Sequence, residues 1–326
     1  MKAILVNEQT KQLYIGQAAE PSISDGELLV SVKATALNRA DLLQKRGLYP
    51  PPQGASEVLG LEMAGVVEQL GAGVKGWQPG DRVFALLPGG GYAERVAIPA
   101  GMAMRIPDGF SFEQAAAIPE VFLTAYLNLF VLGGLREGHT VLIHAGASGV
   151  GTAAIQLARE AGAVSIVTAG TKEKRDACLA LGAGQAIDYK AGPFAAAVQE
   201  ATGGRGVDII MDFVGAPYWQ QNIESLATDG RLIIIGTMGG GKVSELDLGF
   251  LLRKRLQVIG TALRSQPLAV KLKLTEQFVG FAMPRFADGR LRPIVDSVWE
   301  WEQANEAHAH MENNHNTGKI ILRVHD

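Results

Sequence analysis

The chain of 326 residues is long enough for about two domains, and its composition, 47% hydrophobic and 19% charged, is typical of a folded protein with large cores. A net charge of −3 without a long basic run argues against nucleic-acid binding. The single cysteine, Cys178, excludes an intramolecular disulfide. The uncharged stretch Val121–Leu135, between Glu120 and Arg136, is the longest candidate for a membrane-spanning helix, and it is shorter than the roughly 20 apolar residues that such a helix needs. We therefore expect a buried helix there, no membrane association, and a cytoplasmic protein.

The first part of the chain is rich in short β-type runs that glycine and proline separate. We expect strands at 28–37, 63–70, 81–87 and 92–98. Further on, six apolar strands alternate with segments of helical spacing, at 140–145, 164–169, 185–189, 207–214, 231–236 and 256–262. Continuous apolar strands that alternate with helices indicate a parallel sheet covered on both faces. Six of them predict an α/β fold with a doubly wound, dinucleotide-binding Rossmann domain.

Beyond Arg264 the chain returns to a long helix and strands, one near 297–301 and a last one at 318–324. We expect this tail to pack against the first segment. The predicted organisation is a discontinuous, mostly β domain of residues 1–122 and 265–326, and a dinucleotide-binding domain of residues 123–264.

Three glycine-rich loops are candidates for phosphate binding. Gly71–Gly76 matches G-x-G-x-x-G, but Pro79 and Gly80 follow it and leave no helix to receive a phosphate, so we predict a turn. The loop 236–243 nearly matches the phosphate loop of nucleotide hydrolases, yet Val243 stands where a Mg²⁺-binding hydroxyl is needed. The third loop, GASGVG, lies between an apolar strand and a helical segment, which is the context that dinucleotide binding requires.

In GASGVG, Gly146 permits a tight turn, Ser148 replaces the usual second glycine, and Gly151 permits close helix packing. We predict that this loop binds the pyrophosphate of a dinucleotide through Gly146, Ser148, Gly149, Val150 and Gly151. A packing turn without a ligand is the alternative interpretation of the same residues.

The end of the next strand indicates which dinucleotide binds. An NAD site usually has an acidic residue there, about 20 residues after the glycine turn, to bind the ribose 2′-hydroxyl. This chain instead has Thr-Ala-Gly-Thr at 168–171, followed by Lys172, Lys174 and Arg175. Cations without a carboxylate suit a 2′-phosphate and favour NADPH, whereas a solvated basic helix turn is the alternative.

A metal site is not expected, because six histidines and one cysteine form no group with the close spacing of zinc ligands. His308 and His310 lie two residues apart on a predicted helix and point to different faces, and we expect both at the surface. The remaining histidines are scattered at 139, 144, 315 and 325.

Five motifs together are specific for one family. They are ALNRADLLQKRGLYPPP (36–52), LGLEMAGVV (59–67), GDRVFALLPGGGYAE (80–94), AAAIPEVFLTAY (115–126) and HAGASGVGTAAIQLA (144–158). The chain resembles, over nearly its whole length, the zinc-free quinone oxidoreductase (zeta-crystallin-like) branch of the medium-chain dehydrogenase/reductase family. The resemblance implies a GroES-like catalytic domain, NADPH as the hydride donor, and a quinone bound in a cleft between the domains.

The resemblance also bears on zinc and on catalysis. Zinc-dependent relatives have a cysteine where Asn38 stands and a histidine where Leu61 stands, so only Glu62 of that group is retained. The implied catalytic residues are Tyr49, Asn38 and Arg264. A donor such as Tyr49 or Asn38 orients the quinone and stabilises its developing negative charge.

Several alternatives stay open at these positions. We expect Asp41 to be a hydrogen-bonded structural residue, because buried carboxylates are paired. Tyr49 can instead brace its proline-rich loop, and Arg264 can face the cleft or lie on the surface. Leu43 stands where some bacterial members have a second tyrosine, so their quinone pocket cannot be copied.

Further cofactor contacts follow from the resemblance. They are Asn38, Thr124, Gly170, Lys174, Tyr189, Gly236 and Asn314. Tyr189 follows the third strand of the parallel sheet, where it can pack on the adenine-ribose end. Family members dimerise through the strand equivalent to 256–262, so we expect a homodimer.

Three functions are compatible with these residues. The first is an NADPH:quinone oxidoreductase. The second, reduction of the activated C=C bond of an enal or enone, uses the same fold, cofactor and zinc-free site, and Leu43, Tyr49 and Arg264 do not separate the two. The third is a structural or sensory protein that binds NADPH with little turnover.

Overall fold

A computed structural model describes residues 1–324 of the protein; the last two positions, among them His325, lie outside the described residues. The chain divides into two compact units, Met1–Leu123 with Arg264–Asp326, and Thr124–Leu263. We call them the mostly β unit and the dinucleotide-binding unit.

The first segment of the chain forms short strands and three helices. The strands are β1 (Lys2–Val6), β2 (Leu13–Gln17), β3 (Glu27–Ala36), β4 (Glu62–Leu70), β5 (Arg82–Leu86), β6 (Arg95–Pro99) and β7 (Met104–Arg105). The helices are α1 (Arg39–Lys45), α2 (Phe112–Ala116) and α3 (Pro119–Tyr126), which continues into a π-helical turn, Leu127–Leu132. All four strands predicted in this region are present, and the loop 71–76 after β4 is a turn, as predicted.

The dinucleotide-binding unit contains all six predicted strands. Its elements are β8 (Thr140–Ile143), α4 (Gly149–Glu160), β9 (Val164–Ala169), α5 (Lys172–Ala180), β10 (Gln185–Asp188), α6 (Phe194–Ala201), β11 (Val207–Asp212), α7 (Trp219–Ser225), β12 (Leu226–Ile234), α8 (Leu248–Lys254) and β13 (Gln257–Gly260). The strands form one parallel sheet in the order β10-β9-β8-β11-β12-β13, which confirms the Rossmann fold. β12 begins at Leu226 rather than 231 because Leu226 already pairs with Val207.

The tail of the chain completes the mostly β unit. It forms α9 (Leu268–Ala287), β14 (Val295–Glu300), α10 (Ala304–Glu312) and β15 (Lys319–Arg323). β15 pairs antiparallel with β3, so the tail shares a seven-stranded sheet with the first segment. Leu28, Met63, Tyr92 and Trp301 are among the fully buried side chains that hold the two segments together.

One helical stretch within residues 1–324, Phe112–Leu132, is long and apolar enough to cross a membrane, with 21 residues and a mean hydropathy of 1.7. Of its most apolar window, 72% is buried inside the protein. A buried core helix meets the same two criteria, and the burial agrees with the buried helix predicted for 121–135.

Candidate active site

The glycine turn 146–151 joins β8 to α4. The Ser148 side chain caps α4 by accepting a hydrogen bond from the Gly151 N–H (3.1 Å). A Cβ at Gly151 would lie 2.5 Å from the carbonyl oxygens of Ala145 and Gly146, and a Cβ at Gly146 would meet a side chain of β9 at 2.6 Å. Glycine is therefore required at both positions. The turn combines a close backbone approach with a helix N-terminus, the arrangement that binds pyrophosphate.

Two residues that lie beside this turn were not predicted from the sequence to be part of the site. Ala145 has a left-handed backbone (φ 51°), which is uncommon for alanine, so the turn begins one residue before the first glycine. Cys178, on α5, lies against the turn, with its Sγ 3.2 Å from the position of a Cβ at Gly146. The cysteine is fully buried, and burial raises the pKa of its thiol to about 11.

The end of β9 brings together two of the residues expected at the adenine-ribose end. A Cβ at Gly170 would lie 2.8 Å from Tyr189 Oη. They meet because β9 and β10 are adjacent parallel strands, whose carboxyl ends lie at the same edge of the sheet. Thr171 caps α5 and accepts a hydrogen bond from the Lys174 N–H at 3.3 Å.

Lys172 and Arg175, which were predicted to serve a 2′-phosphate, form ion pairs with acidic residues. Lys172 Nζ lies 2.6 Å from Asp176 Oδ2, and Arg175 Nη1 lies 2.6 Å from Asp188 Oδ2. These acids partly neutralise the start of α5, so this end of the site is less basic than the sequence suggested.

Lys190 is a cation at this end that was not predicted from the sequence. Its Cε lies 3.0 Å from the position of a Cβ at Gly170, next to Tyr189. Lys190 is the second residue after β10, and Gly170 is the first residue after β9. The neighbouring ends of two parallel strands are therefore the sequence signal that could have identified it.

The remaining expected cofactor residues lie in different places. The Gly236 N–H lies 3.3 Å from the carbonyl oxygen of Asp212, where β12 and β11 end. Thr124 is buried in the dinucleotide-binding unit. Asn314 belongs to the mostly β unit, has a left-handed backbone (φ 56°), and accepts a hydrogen bond from Arg39 Nη2. Dinucleotide contacts of these residues stay predictions.

Asn38 is the N-cap of α1 and belongs to a buried polar cluster in the mostly β unit. Its Nδ2 donates to Glu62 Oε1 (2.8 Å), and its Oδ1 accepts from Lys319 Nζ (2.7 Å). Both ends of the amide are engaged and the residue is only 6% exposed. Asn38 thus has little hydrogen-bonding capacity left for a substrate, and its catalytic role stays a prediction.

Lys319 supplies the positive charge of this cluster. Its Nζ lies 2.7 Å from Glu62 Oε1 and 2.6 Å from the carbonyl oxygen of Leu37, and the side chain is almost fully buried. The other Glu62 oxygen accepts from the Glu120 N–H (2.8 Å). Lys319 was missed in the sequence, although a buried carboxylate requires a partner and a lysine in the last strand was available.

Asp41 is a structural residue, as predicted. Its Oδ2 accepts from the Asn38 N–H (2.7 Å) and its Oδ1 from the Gly60 N–H (3.1 Å). Complete burial raises the pKa of Asp41 to about 6, although these two hydrogen bonds and nearby Lys319 oppose the rise.

Arg264 lies beside Tyr49 in the mostly β unit and is 7% exposed, so the surface alternative for Arg264 is wrong. Its Nε donates to the Pro88 carbonyl (2.8 Å) and its Nη2 to Gln44 Oε1 (2.7 Å). Its Cζ lies 5.2 Å from the centroid of the Tyr49 ring. Nη1 is buried without a hydrogen-bond partner among the described residues. Partial burial raises the pKa of Tyr49, which keeps the phenol protonated at neutral pH.

The prediction that His308 lies at the surface is wrong. His308 is fully buried, with Nε2 3.1 Å from Tyr92 Oη, and burial lowers its pKa to about 3. His310 is partly exposed and contacts Asp296 Oδ2 (3.0 Å). Positions two apart on a helix face different ways, so packing of α10 on the core buries one of the two. Residues 1–324 contain no group of three or more His, Cys, Asp or Glu side chains that could hold a metal ion.

Comparison with known proteins places the chain in a family. Residues 24–108 match the alcohol dehydrogenase GroES-like domain, and residues 149–277 match the zinc-binding dehydrogenase domain. The human synaptic vesicle membrane protein VAT-1 homolog is 31% identical over 318 residues, 94% of this chain and 81% of that protein. The quinone oxidoreductase of Thermus thermophilus, solved also with NADPH, is 35% identical, with a TM-score of 0.82 and coverage of 99% of this chain and 100% of that one. The chain belongs to the zinc-free, quinone-oxidoreductase-like branch of the medium-chain dehydrogenase/reductase family.

Another relative in this family is named for a different activity. The CurK enoyl reductase is 26% identical, covers 99% of this chain and 98% of its own, and superposes with a TM-score of 0.86. As a member of this family, the protein described here is an oxidoreductase with a nicotinamide-dinucleotide site.

Proposed function

We propose that this family member is an NADPH-dependent quinone oxidoreductase that works without zinc. The observation that carries the proposal is the pair formed by Tyr49 and Arg264, which offers a phenol donor and a guanidinium N–H without a partner among the described residues. Leu43 and Leu48, 37% and 69% exposed, lie in the same short segment as Tyr49. Such a surface suits a flat, apolar acceptor that carries an oxygen.

The dinucleotide-binding unit fits NADPH. Glycines 146 and 151 allow the backbone to approach a pyrophosphate, and α4 presents its N-terminus there. Lys174 and Lys190 lie at the end of the site where Gly170 replaces the acidic residue that is usual in an NAD site. Cations without that carboxylate suit a 2′-phosphate. When bound, NADPH supplies the hydride.

The side chains of the mostly β unit then stabilise charge on the acceptor. The Tyr49 hydroxyl donates a hydrogen bond to the oxygen on which negative charge develops, and Arg264 Nη1 supplies a second donor. Gln44, on α1, orients the guanidinium. The product is a quinol, and phenols have a pKa near 10, so water supplies the proton and no general acid is required.

Absorbance of NADPH and NADH in the presence of ortho- and para-quinones tests the proposal. We expect quinone-dependent oxidation of NADPH and slower oxidation of NADH. Tyr49→Phe is expected to lower kcat/KM for the quinone by about 10–100-fold, because it removes one donor to the oxyanion, and to leave the Kd of NADPH unchanged. The matched control is Tyr14→Phe, at an exposed tyrosine of β2. A wild-type protein that reduces no quinone contradicts the proposal.

The similarity to CurK favours a second candidate, reduction of the activated C=C bond of an enal or enone. The same two donors would stabilise an enolate oxygen. Turnover of enals without turnover of quinones selects this function. If NADPH binds tightly and neither quinones nor enals oxidise it, the protein is instead a structural or sensory protein.

We propose further that the protein is a homodimer and cytoplasmic. β13 is the edge strand of the parallel sheet, and its Val258 is 40% exposed. Unpaired edges invite pairing with another strand. Sedimentation should give the mass of two chains, and Val258→Asp should reduce it to one; a monomeric wild type contradicts the dimer.

A further inference from the structure

A second buried polar system lies beneath the glycine turn, wholly within the dinucleotide-binding unit. His144 Nδ1 lies 3.0 Å from Thr168 Oγ1, and His144 Nε2 lies 2.7 Å from Asn222 Oδ1. Asn222 Nδ2 donates to Asp212 Oδ2 at 3.1 Å. None of the four residues is more than 1% exposed. We call Thr168, His144, Asn222 and Asp212 the His144 chain; the proposed reaction uses none of them.

The Asp212 carboxylate fixes the direction of these hydrogen bonds. Because it accepts, the amide nitrogen of Asn222 must face it, and the amide oxygen faces His144. His144 Nε2 therefore carries the proton, and Nδ1 accepts from the Thr168 hydroxyl. Burial lowers the pKa of His144 to about 4, so the ring stays neutral at pH 7. Hydrogen bonds that run in one direction polarise and strengthen each other.

The His144 chain crosses the carboxyl ends of three neighbouring strands. Thr168 lies near the end of β9, His144 directly follows β8, and Asp212 is the last residue of β11. The strand order reverses between β8 and β11, and open α/β sheets bind their ligands at such a switch point. Asp212 Oδ1 also accepts from the N–H groups of Val214 (2.7 Å) and Gly215 (3.1 Å).

The two ends of the His144 chain lie at different parts of the dinucleotide site. At one end, the Gly146 N–H of the glycine turn donates to the Thr168 carbonyl oxygen (2.9 Å). At the other end, Asp212 holds the loop 213–215, and its carbonyl oxygen accepts from the Ile235 N–H (2.7 Å) where β12 ends. The His144 chain thus connects the glycine turn, through continuous hydrogen bonds, with the loops after β11 and β12.

We propose that the His144 chain positions the loops after β11 and β12 relative to the glycine turn, and so sets the nicotinamide half of the cofactor for hydride transfer. The inference rests on the dinucleotide site of the proposed function. A displacement of about 1 Å is enough to impair a reaction that depends on orientation. The adenosine half, at the ends of β9 and β10, does not depend on the loop 213–215.

Asn222→Leu tests the proposal because it removes, at similar volume, the hydrogen bond from His144 and the hydrogen bond to Asp212. Calorimetry measures the Kd of NADPH and of adenosine 2′,5′-bisphosphate, which lacks the nicotinamide half. We expect the Kd of NADPH to rise about tenfold, the Kd of the bisphosphate to change less than about twofold, and kcat/KM for the acceptor to fall about 100-fold.

Two further variants separate positioning from folding. His144→Gln keeps an N–H donor toward Asn222 and is expected to retain most of the NADPH affinity, whereas His144→Leu is not. Ser165→Ala is the matched control on β9, because its buried hydroxyl has no hydrogen-bond partner among the described residues. If Asn222→Leu does not fold, His144→Gln compared with His144→Leu carries the same test.

The outcomes are distinct. Equal weakening of NADPH and the bisphosphate, or no weakening of either, overturns the proposal. A wild type that binds NADPH and reduces no quinone removes the proposed quinone activity but leaves the binding comparison valid. A wild type that binds neither ligand overturns both.

Discussion

The two units form their candidate sites from different parts of the chain. The dinucleotide-binding unit relies on backbone, a glycine turn and a helix N-terminus within one short segment. The mostly β unit relies on side chains that are far apart in sequence, since Arg264 contacts Gln44 across 220 positions and Lys319 contacts Asn38 across 281. A site built from backbone can therefore be recognised as a local sequence motif, whereas a site built from distant side chains forms only in the completed fold.

Their buried polar groups differ as well. The His144 chain contains one carboxylate among neutral groups, whereas the cluster around Lys319 contains two carboxylates and an ammonium group. An unpaired buried ion costs more free energy than an unpaired neutral group. Substitutions in the buried cluster around Lys319 should consequently lower stability most, whereas substitutions in the His144 chain should mainly change ligand binding.

The largest effect is expected for Lys319→Met. This change leaves Glu62 buried without its cation, and we expect a loss of about 3–5 kcal/mol in the free energy of unfolding. Urea unfolding measures it, and the double variant Lys319→Met with Glu62→Gln should recover part of the loss. If Lys319→Met unfolds at the same urea concentration as the wild type, the buried charged cluster is not more sensitive to the loss of a partner than the neutral His144 chain.

Within residues 1–324, each unit buries one neutral histidine, and the one in the mostly β unit offers a pH test. The pKa of His308 is about 3 in the folded protein against about 6.5 in an unfolded chain. Its contribution to stability is therefore complete above pH 6.5 and is lost as the pH falls toward the folded pKa. His308→Gln should flatten the fall in the free energy of unfolding between pH 7.5 and 5, by at most about 2 kcal/mol. An unchanged slope in urea titrations would show that His308 protonates freely in the folded state.

Gly151→Ala tests the backbone site. Its Cβ would lie 2.5 Å from two carbonyl oxygens, so the turn must shift, and we expect the Kd of NADPH to rise about tenfold. Gly280→Ala, on α9, is the control because its Cβ would have no heavy atom within 4 Å. Retained affinity in Gly151→Ala means that the turn does not hold the pyrophosphate.

The smallest effect is expected for Lys190→Ala. An exposed cation near a phosphate contributes modestly, so the Kd of NADPH should rise about threefold, with the Kd of NADH unchanged. Equal changes for the two dinucleotides would exclude contact with the 2′-phosphate.

The same contrast explains what could be predicted from the sequence. The six parallel strands and the turn at Gly146 followed from hydrophobic periodicity and glycine spacing, which are local properties. Lys319 and Lys190 were not predicted, because they become neighbours of Glu62 and Gly170 only after the strands have paired. His308 was misjudged because helical spacing shows that two histidines diverge and not which of them faces the core.

Cys178 gives this chemistry one more consequence. Quinones and enals, the acceptors of both candidate reactions, are electrophiles that alkylate thiolates, and a thiol reacts only to the extent that it ionises. The protein's only sulfhydryl is fully buried against the glycine turn, and its pKa is about 11, so it offers almost no thiolate at pH 7. This thiol is thereby protected from alkylation by the protein's own proposed substrates. Mass spectrometry after exposure to benzoquinone should find the thiol unmodified in the native protein and alkylated once the chain is unfolded.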